Sequence, residues 1–270
     1  MNPLRIWYQS LVETDPGSAY FAGMRERVAD IARAGTTVEF VGMPAGTYAG
    51  RTPADVVVYP YLMALHQHSI LDHAHAAQQQ GFDVFVVGSV QDPAIEEARG
   101  LLRIPVVGYG ESAMHVACML GRKFAVVVFQ HRMDQIMDMR IERLGLAGRA
   151  IATSLVAATF DDVTHALSEP ERLVERFRAA AMMAIRQGAE AIIPGQLYLS
   201  EALARAGIQR IDDVPVIDAL SVTIKMAEMM HDLATLGIKV SRRGATNALP
   251  DDTLIEHARR MHRRGEHRDR

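Results

Sequence analysis

The side chains able to move protons or hold ligands are few and lie far apart in the chain. His131 belongs to Gln130-His131-Arg132, directly after the apolar run Phe124–Phe129. Imidazole titrates nearest neutrality of all side chains, so His131 is a candidate for proton transfer. Arg132 offers the forked donor that clamps a carboxylate. Ser89 follows the apolar run Val84–Gly88 and reads as a nucleophile, as a hydrogen-bond donor, or as a turn residue. No Gly-x-Ser-x-Gly elbow surrounds it, which weakens the nucleophile reading. Gln196 follows Ala191–Pro194 and supplies an amide, a group suited to steadying an oxyanion. Glu111 opens an apolar helical segment, where it is either an acid/base or a carboxylate answering the helix dipole.

His66, His68, His73 and His75, with Asp72 among them, fall in one helical stretch. Ligands on one helix face need a spacing of three or four. The pairs His66/His73 and His68/His75 are seven apart, about 10.5 Å of rise, and no pair has the His-x-x-x-His spacing. A helix-face or subunit-contact role is expected, and no metal. The single cysteine, Cys118, lies among Met114, Ala117 and Leu120 and reads as a small buried hydrophobe. One cysteine excludes an internal disulfide and a multi-thiolate metal site.

These residues hang on a regular frame. Short apolar runs alternate with helical patterns, the signature of βαβ units and a parallel sheet. The runs Leu4–Gln9, Thr37–Gly42, Val84–Gly88, Pro105–Gly108, Phe124–Phe129, Ala150–Val156, Ala191–Pro194 and Val214–Ile217 are predicted strands. Helices are predicted at 18–34, 61–80, 111–120, 133–144, 171–187, 201–206 and 221–236, and Met43–Pro53 is a Pro/Gly-rich loop. Asp92-Pro93 reads as a further helix start, with Asp at the N-cap and Pro at the first position. Two pairs of segments match position by position. Gly81–Ser89 matches Gly188–Gln196 at an offset of 107 residues, and Ile104–Glu111 matches Val214–Ser221 at an offset of 110. A duplication in this order puts Ser89 and Gln196 at equivalent strand ends, where open α/β sheets bind ligands. Facing lobes would line one cleft with Gln9, Ser10, Ser89, Gln91 and Asp92 from one side. Gln130, His131, Arg132, Gln196, Leu197 and Tyr198 come from the other.

The segments Asp83-Val-Phe-Val-Val-Gly-Ser-Val-Gln-Asp-Pro93, Ile104-Pro-Val-Val-Gly-Tyr-Gly-Glu111 and Leu120-Gly-Arg-Lys-Phe-Ala-Val-Val-Val128 resemble the aspartate/glutamate/hydantoin racemase superfamily, in its hydantoin-racemase-like branch. The resemblance runs from the first strand to about Leu236. It implies an α/β fold of two pseudosymmetric flavodoxin-like lobes with parallel sheets and an interlobe cleft, divided into 1–108 plus 219–270 and 109–218. It implies no cofactor and a homo-oligomer. Racemases of this kind set one cysteine after each duplicated strand, so that base and acid meet the substrate from opposite faces. Carried over, those positions are Ser89 and Gln196, which removes the two-thiol mechanism. Glu111 matches a glutamate of the family's Gly-x-Gly/Ala-Glu segment.

The expectation is therefore an enzyme acting on a small carboxylate or cyclic amide, as a hydrolase, lyase or isomerase. Glu111, His131 and Ser89 are its candidate catalytic residues, and Gln9, Ser10, Gln91, Gln130, Arg132, Gln196 and Leu197 its binding residues. The alternatives are a non-catalytic binding protein that keeps the cleft, and a scaffold assembled through the His-rich helix. The net charge of -3 gives no reason to expect nucleic acid or a membrane surface as partner. No signal peptide or run of ~18–20 apolar residues appears, so the cytoplasm is the expected location. The Arg-rich end, Arg259–Arg270, reads as a solvated tail beyond a short helix that follows Asp251–Asp252.

Overall fold

The computed structural model describes residues 3–15 and 18–266. Two parallel sheets organise the chain. The first has the order β2-β1-β3-β4, from β1 (Leu4–Glu13), β2 (Thr36–Met43), β3 (Val84–Gly88) and β4 (Val106–Gly108). The second has the order β6-β5-β7, from β5 (Phe124–Val128), β6 (Ala150–Leu155) and β7 (Ala191–Pro194). Helices α1 (Ala19–Ile31), α2 (Pro53–Val56), α3 (Pro60–Gln79), α4 (Ile95–Leu101) and α5 (Tyr109–Leu120) belong to the first half of the chain. The second half holds α6 (Met133–Arg143), α7 (Phe160–His165), α8 (Glu171–Arg186), α9 (Leu197–Arg205), α10 (Ala219–Thr235) and α11 (Asp252–Glu266). This is the mixed α/β fold of two parallel-sheet lobes expected from the alternation of strand and helix patterns.

The central strands β3 and β5 are apolar along their whole length and every residue is buried, as strands covered on both faces must be. Side-chain alternation divides β5 between two cores. Phe124, Val126 and Val128 pack into the core shared with the first sheet, and Ala125 and Val127 into the core beneath α8 and α9. Helices α5 and α10 pack against one another and close the seam between the sheets.

Three expectations need correction. The segment Val214–Ile217 is not a full sheet strand: β9 (Val214–Pro215) pairs antiparallel with β8 (Arg210–Ile211), and only Val216 bridges to Ile192 of β7. Pro215 has no N–H for a ladder. Helix α9 starts at Leu197, four residues before the expected position, which makes Gln196 its N-cap residue. Asp92 does not cap the helix that follows it. Ala94 holds that place in a left-handed conformation, and the Asp92 carboxylate instead accepts the Gly110 and Glu111 N–H groups at 2.8 and 2.7 Å, capping α5.

The His-rich helix is α3, and its histidines meet different neighbours. His66 packs edge-on to Tyr48, and His73 sits beside Trp7 with its Nδ1 2.8 Å from Gln9 Oε1. The His68 ring lies 6.3 Å from that of His262 in α11. Among the described residues no group of three or more His, Cys, Asp or Glu is arranged to hold a metal ion, and no helix is long and apolar enough to cross a membrane. The helix expected after Asp251–Asp252 is α11; residues 267–270 of the Arg-rich end lie outside the described residues.

Candidate functional site

The carboxyl ends of the strands from both sheets meet at one cleft with about 560 Å³ of empty space, counting what is open to solvent. Ser10 to Val12 come from β1, Gly88 ends β3 and Ser89 to Gln91 follow it, Phe129 and Gln130 follow β5, and Gln196 to Tyr198 follow β7. Pro53, Ala54 and Val57, on and beside α2, cover it, while Tyr20, Met133 and Phe160 complete the wall. The cover is tied to the opposite lobe. Gln130 Nε2 donates to the Ala54 carbonyl, and the Arg132 guanidinium lies 5.5 Å above the Tyr59 ring.

One flank of the cleft is aromatic. Tyr20 stacks on Tyr198 at 4.2 Å between centroids, Tyr198 meets Phe160 edge-on at 5.1 Å, and Phe160 lies 6.5 Å from Phe129. Burial raises both tyrosine hydroxyls, that of Tyr198 to about 12, while the neighbouring Ser10 hydroxyl offsets part of the rise at Tyr20. Both are neutral donors at physiological pH. Among the described residues lining the cleft none has a charged side chain, an imidazole or a thiol; the polar groups are the hydroxyls of Ser10, Ser89, Tyr20 and Tyr198 and the amides of Gln91, Gln130 and Gln196.

The amides differ in how they are engaged. Gln91 Nε2 reaches the Val57 carbonyl at 3.4 Å and Met133 Sδ at 3.3 Å. Gln196 accepts the Phe129 N–H through Oε1 at 3.3 Å, which fixes the amide's orientation because only the oxygen can accept. Its Nε2 is then a buried donor with no partner among the described residues. A buried donor left unsatisfied costs about 1–3 kcal/mol, so a carbonyl oxygen arriving beside it is favoured.

Of the residues expected at the site, Ser10, Ser89, Gln91, Gln130, Gln196 and Leu197 line the cleft together, with Tyr198. Four others do not. Gln9 and Ser10 are adjacent in β1 and therefore face opposite sides of the sheet. Gln9 points toward α3, buried, donating to the Ser10 carbonyl and accepting from Trp7 Nε1. Glu111 is in the first turn of α5, and its carboxylate is held by Arg99 at 2.9 Å, in a separate hollow with Ser112, His115 and Met226. His131 and Arg132 are exposed in the turn before α6, and Arg132 has a left-handed backbone as its N-cap. That turn carries both side chains out of the cleft, although Gln130 and Met133 on either side line it. Cys118 is half-buried in α5, outside the cleft.

Sequence reasoning missed the aromatic flank and the cover. Tyr20 and Phe160 sit in the first turns of helices, seven and five residues past the ends of β1 and β6 and so beyond the strand-end positions that mark the site, and α2 begins at Pro53, where the segment that reads as loop ends. Its Thr52-Pro-Ala-Asp55 capping box was the available signal.

Two parallel-sheet lobes sharing a cleft at their strand ends place the chain among the open-sheet α/β proteins, a class that takes ligands at the carboxyl ends of its strands. Residues 13–227 match the Asp/Glu/Hydantoin racemase family, and the chain belongs to it. A hydantoin racemase of Pseudomonas sp. (strain NS671) is 27% identical over 212 residues, covering 78% of this chain and 80% of that protein. A hydantoin racemase of Rhizobium meliloti is 29% identical over 172 residues, covering 62% and 68%. Among solved structures, the allantoin racemase from Klebsiella pneumoniae superposes with a TM-score of 0.75 at 26% identity, covering 92% of this chain and 94% of that one.

Proposed function

We propose that the protein binds a neutral small molecule rich in amide or carbonyl groups in the interlobe cleft, and that its own side chains do not racemise it. The observation that carries this reading is the unpartnered Gln196 Nε2, a buried donor in a cleft without a charged side chain. A carboxylate ligand would leave its charge uncompensated there, at a cost an uncharged amide avoids. The similar proteins are named for hydantoin and allantoin, both uncharged ring amides. In this reading Ser89 and Gln196 stand where the family's two thiols stand, and serve as hydroxyl and amide donors. A general base must come within ~2.6–3.2 Å of the proton it takes. Neither Glu111, paired with Arg99, nor the exposed His131 lines the cleft.

The test is calorimetric titration with hydantoin, allantoin and L-aspartate, alongside proton NMR of C5 deuterium exchange for the ring amides. Hydantoin or allantoin should bind, Gln196→Leu should weaken that binding about tenfold, and exchange should run at the buffer rate. Preferential aspartate binding, or exchange accelerated by the wild-type protein, would sink the reading.

A further inference from the structure

The loop that carries Ser89 and Gln91 into the cleft has an unusual backbone. Asp92 and Ala94 are both left-handed, at φ 47° and 59°. Alanine persists in that conformation only where its surroundings hold it there. Part of the hold comes from the same half of the chain. A Cβ on Gly110 would collide with the Val90 carbonyl oxygen, and one on Gly108 with the Asp92 carboxylate, so the loop lies directly on the start of α5. The Gly110 and Glu111 N–H groups donate to that carboxylate at 2.8 and 2.7 Å.

The second half of the chain contributes Arg140, on α6 and 7% exposed. Its Nη2 donates to Asp92 Oδ2 at 3.3 Å, and its Nη1 donates to Glu96 Oε1 at 3.0 Å, in the first turn of α4. One guanidinium thus holds the loop at Asp92 and the helix that follows the loop at Glu96. The other end of α6 is part of the cleft. Met133 and Arg140 are seven apart, two turns and about 10.5 Å of rise, and so share a face. Met133 lines the cleft with its Sδ 3.3 Å from Gln91 Nε2. Helix α6 therefore meets the Ser89 loop at two points, Met133 on Gln91 and Arg140 on Asp92. Just before α6 come Gln130, which lines the cleft, and Phe129, whose N–H orients the Gln196 amide.

We propose that Arg140, which does not itself line the cleft, is a positioning residue for it. By gripping Asp92 and Glu96 from the opposite half of the chain, it sets the spacing between Ser89 and Gln91 on one side and Gln130 and Gln196 on the other. The fork of the guanidinium is what the task needs, because a lysine is a point charge that meets one carboxylate at a time. The effect on affinity rests on the binding reading above; the effect on the loop does not.

Calorimetric titration with hydantoin and allantoin, hydrogen–deuterium exchange of the loop without ligand, and thermal unfolding test this together. Arg140→Met should weaken whichever ring amide the wild type binds by about tenfold, and Arg140→Lys by about threefold. Peptides covering 86–95 should exchange about tenfold faster in Arg140→Met. The comparison variant is Arg149→Ala. Arg149 donates to the Cys118 and Gly121 carbonyls at 2.7 and 2.9 Å, at the far end of α5. Its loss should lower Tm and leave both affinity and loop exchange unchanged. Should Arg140→Met fail to fold, Arg140→Lys carries the same expected sign. Unchanged affinity in the Arg140 variants overturns the assignment, as does an equal loss of affinity in Arg149→Ala. A wild type that binds neither ring amide removes the binding reading alone. Loop exchange then decides, and a loop no faster in Arg140→Met than in Arg149→Ala overturns the role of Arg140.

Discussion

Asp92 directly follows the cleft-lining Gln91 in a left-handed backbone conformation, φ 47°, with its carboxylate wholly enclosed. Burial pushes it up to about 7, against the pull of Arg140 and of the Gly110 and Glu111 N–H groups. An aspartate in an unfolded chain titrates near 3.9. The folded state therefore binds this proton more tightly, and the stability linked to it is complete below about pH 4 and is lost as pH rises through about 7. Asn cannot ionise, so Asp92→Asn should gain on the wild type between pH 5 and pH 8, by an amount on the order of a few kcal/mol. Tm measured for both proteins across that range checks it; a gap that narrows as pH rises would mean Arg140 and the two N–H groups hold the carboxylate more than burial repels it. The cleft loop also bears on the family's chemistry. Ser89→Cys combined with Gln196→Cys should produce C5 deuterium exchange of hydantoin or allantoin that neither single variant shows. Exchange by NMR is the measurement, and an inert double variant would count against these positions being the two thiol sites.

Between elements, α1 and α9 are tied across the lobes near the cleft. Tyr20 and Arg27 are seven apart on α1 and so share a face. Tyr20 stacks on Tyr198, Gly23 lets the Arg205 guanidinium lie against the helix, and Arg27 pairs with Glu201. The Glu201 side chain is 2% exposed, and burial raises its pKa against the pull of Arg27. Removing Arg27 leaves that carboxylate buried without its cation, so Arg27→Met should cost roughly 3–5 kcal/mol in urea unfolding. The double variant Arg27→Met with Glu201→Met should recover much of the loss, because the carboxylate that remains, Asp218, is a third exposed and keeps its Ser221 partner. Ties of this kind explain what was legible in the sequence. The strands and long helices were, since their periodicity is local, and so were Ser89 and Gln196, just past strand ends, and Ser10, which lies level with the end of β3 although β1 runs on to Glu13. Which helix the Asp92 carboxylate would cap was not, because the N–H groups it meets lie 18 and 19 residues away. Glu111 was misread as a cleft residue for the same reason: its partner Arg99 comes from α4, and no local pattern marks the pair.

Across the whole molecule, the chain beyond α10 is attached to the body in two unequal ways. Helix α11 touches the body through Arg103–Asp252 at 2.9 Å, Asp72–Arg259 at 2.5 Å and the His68–His262 ring contact, and Leu254 and Met261 on it remain more than half exposed. Exposed ion pairs of this kind contribute about 0.2–1 kcal/mol each. The segment before it is anchored differently. The half-buried Arg242 donates to the Arg99 carbonyl at 2.5 Å, Leu102 at 2.6 Å and Asn247 at 3.2 Å. Two of those carbonyls belong to the end of α4, the helix that also supplies Arg99 to Glu111 and Glu96 to Arg140. Helix ends leave their last carbonyls without intrahelical partners, and charged donors that satisfy them are worth about 1.5–3 kcal/mol. The single change Arg242→Ala should therefore lower Tm more than deleting residues 252–270 altogether. Thermal unfolding of the two variants side by side decides the order. A truncation that destabilises more than Arg242→Ala would show that α11 is part of the packed body and not a helix resting on its surface.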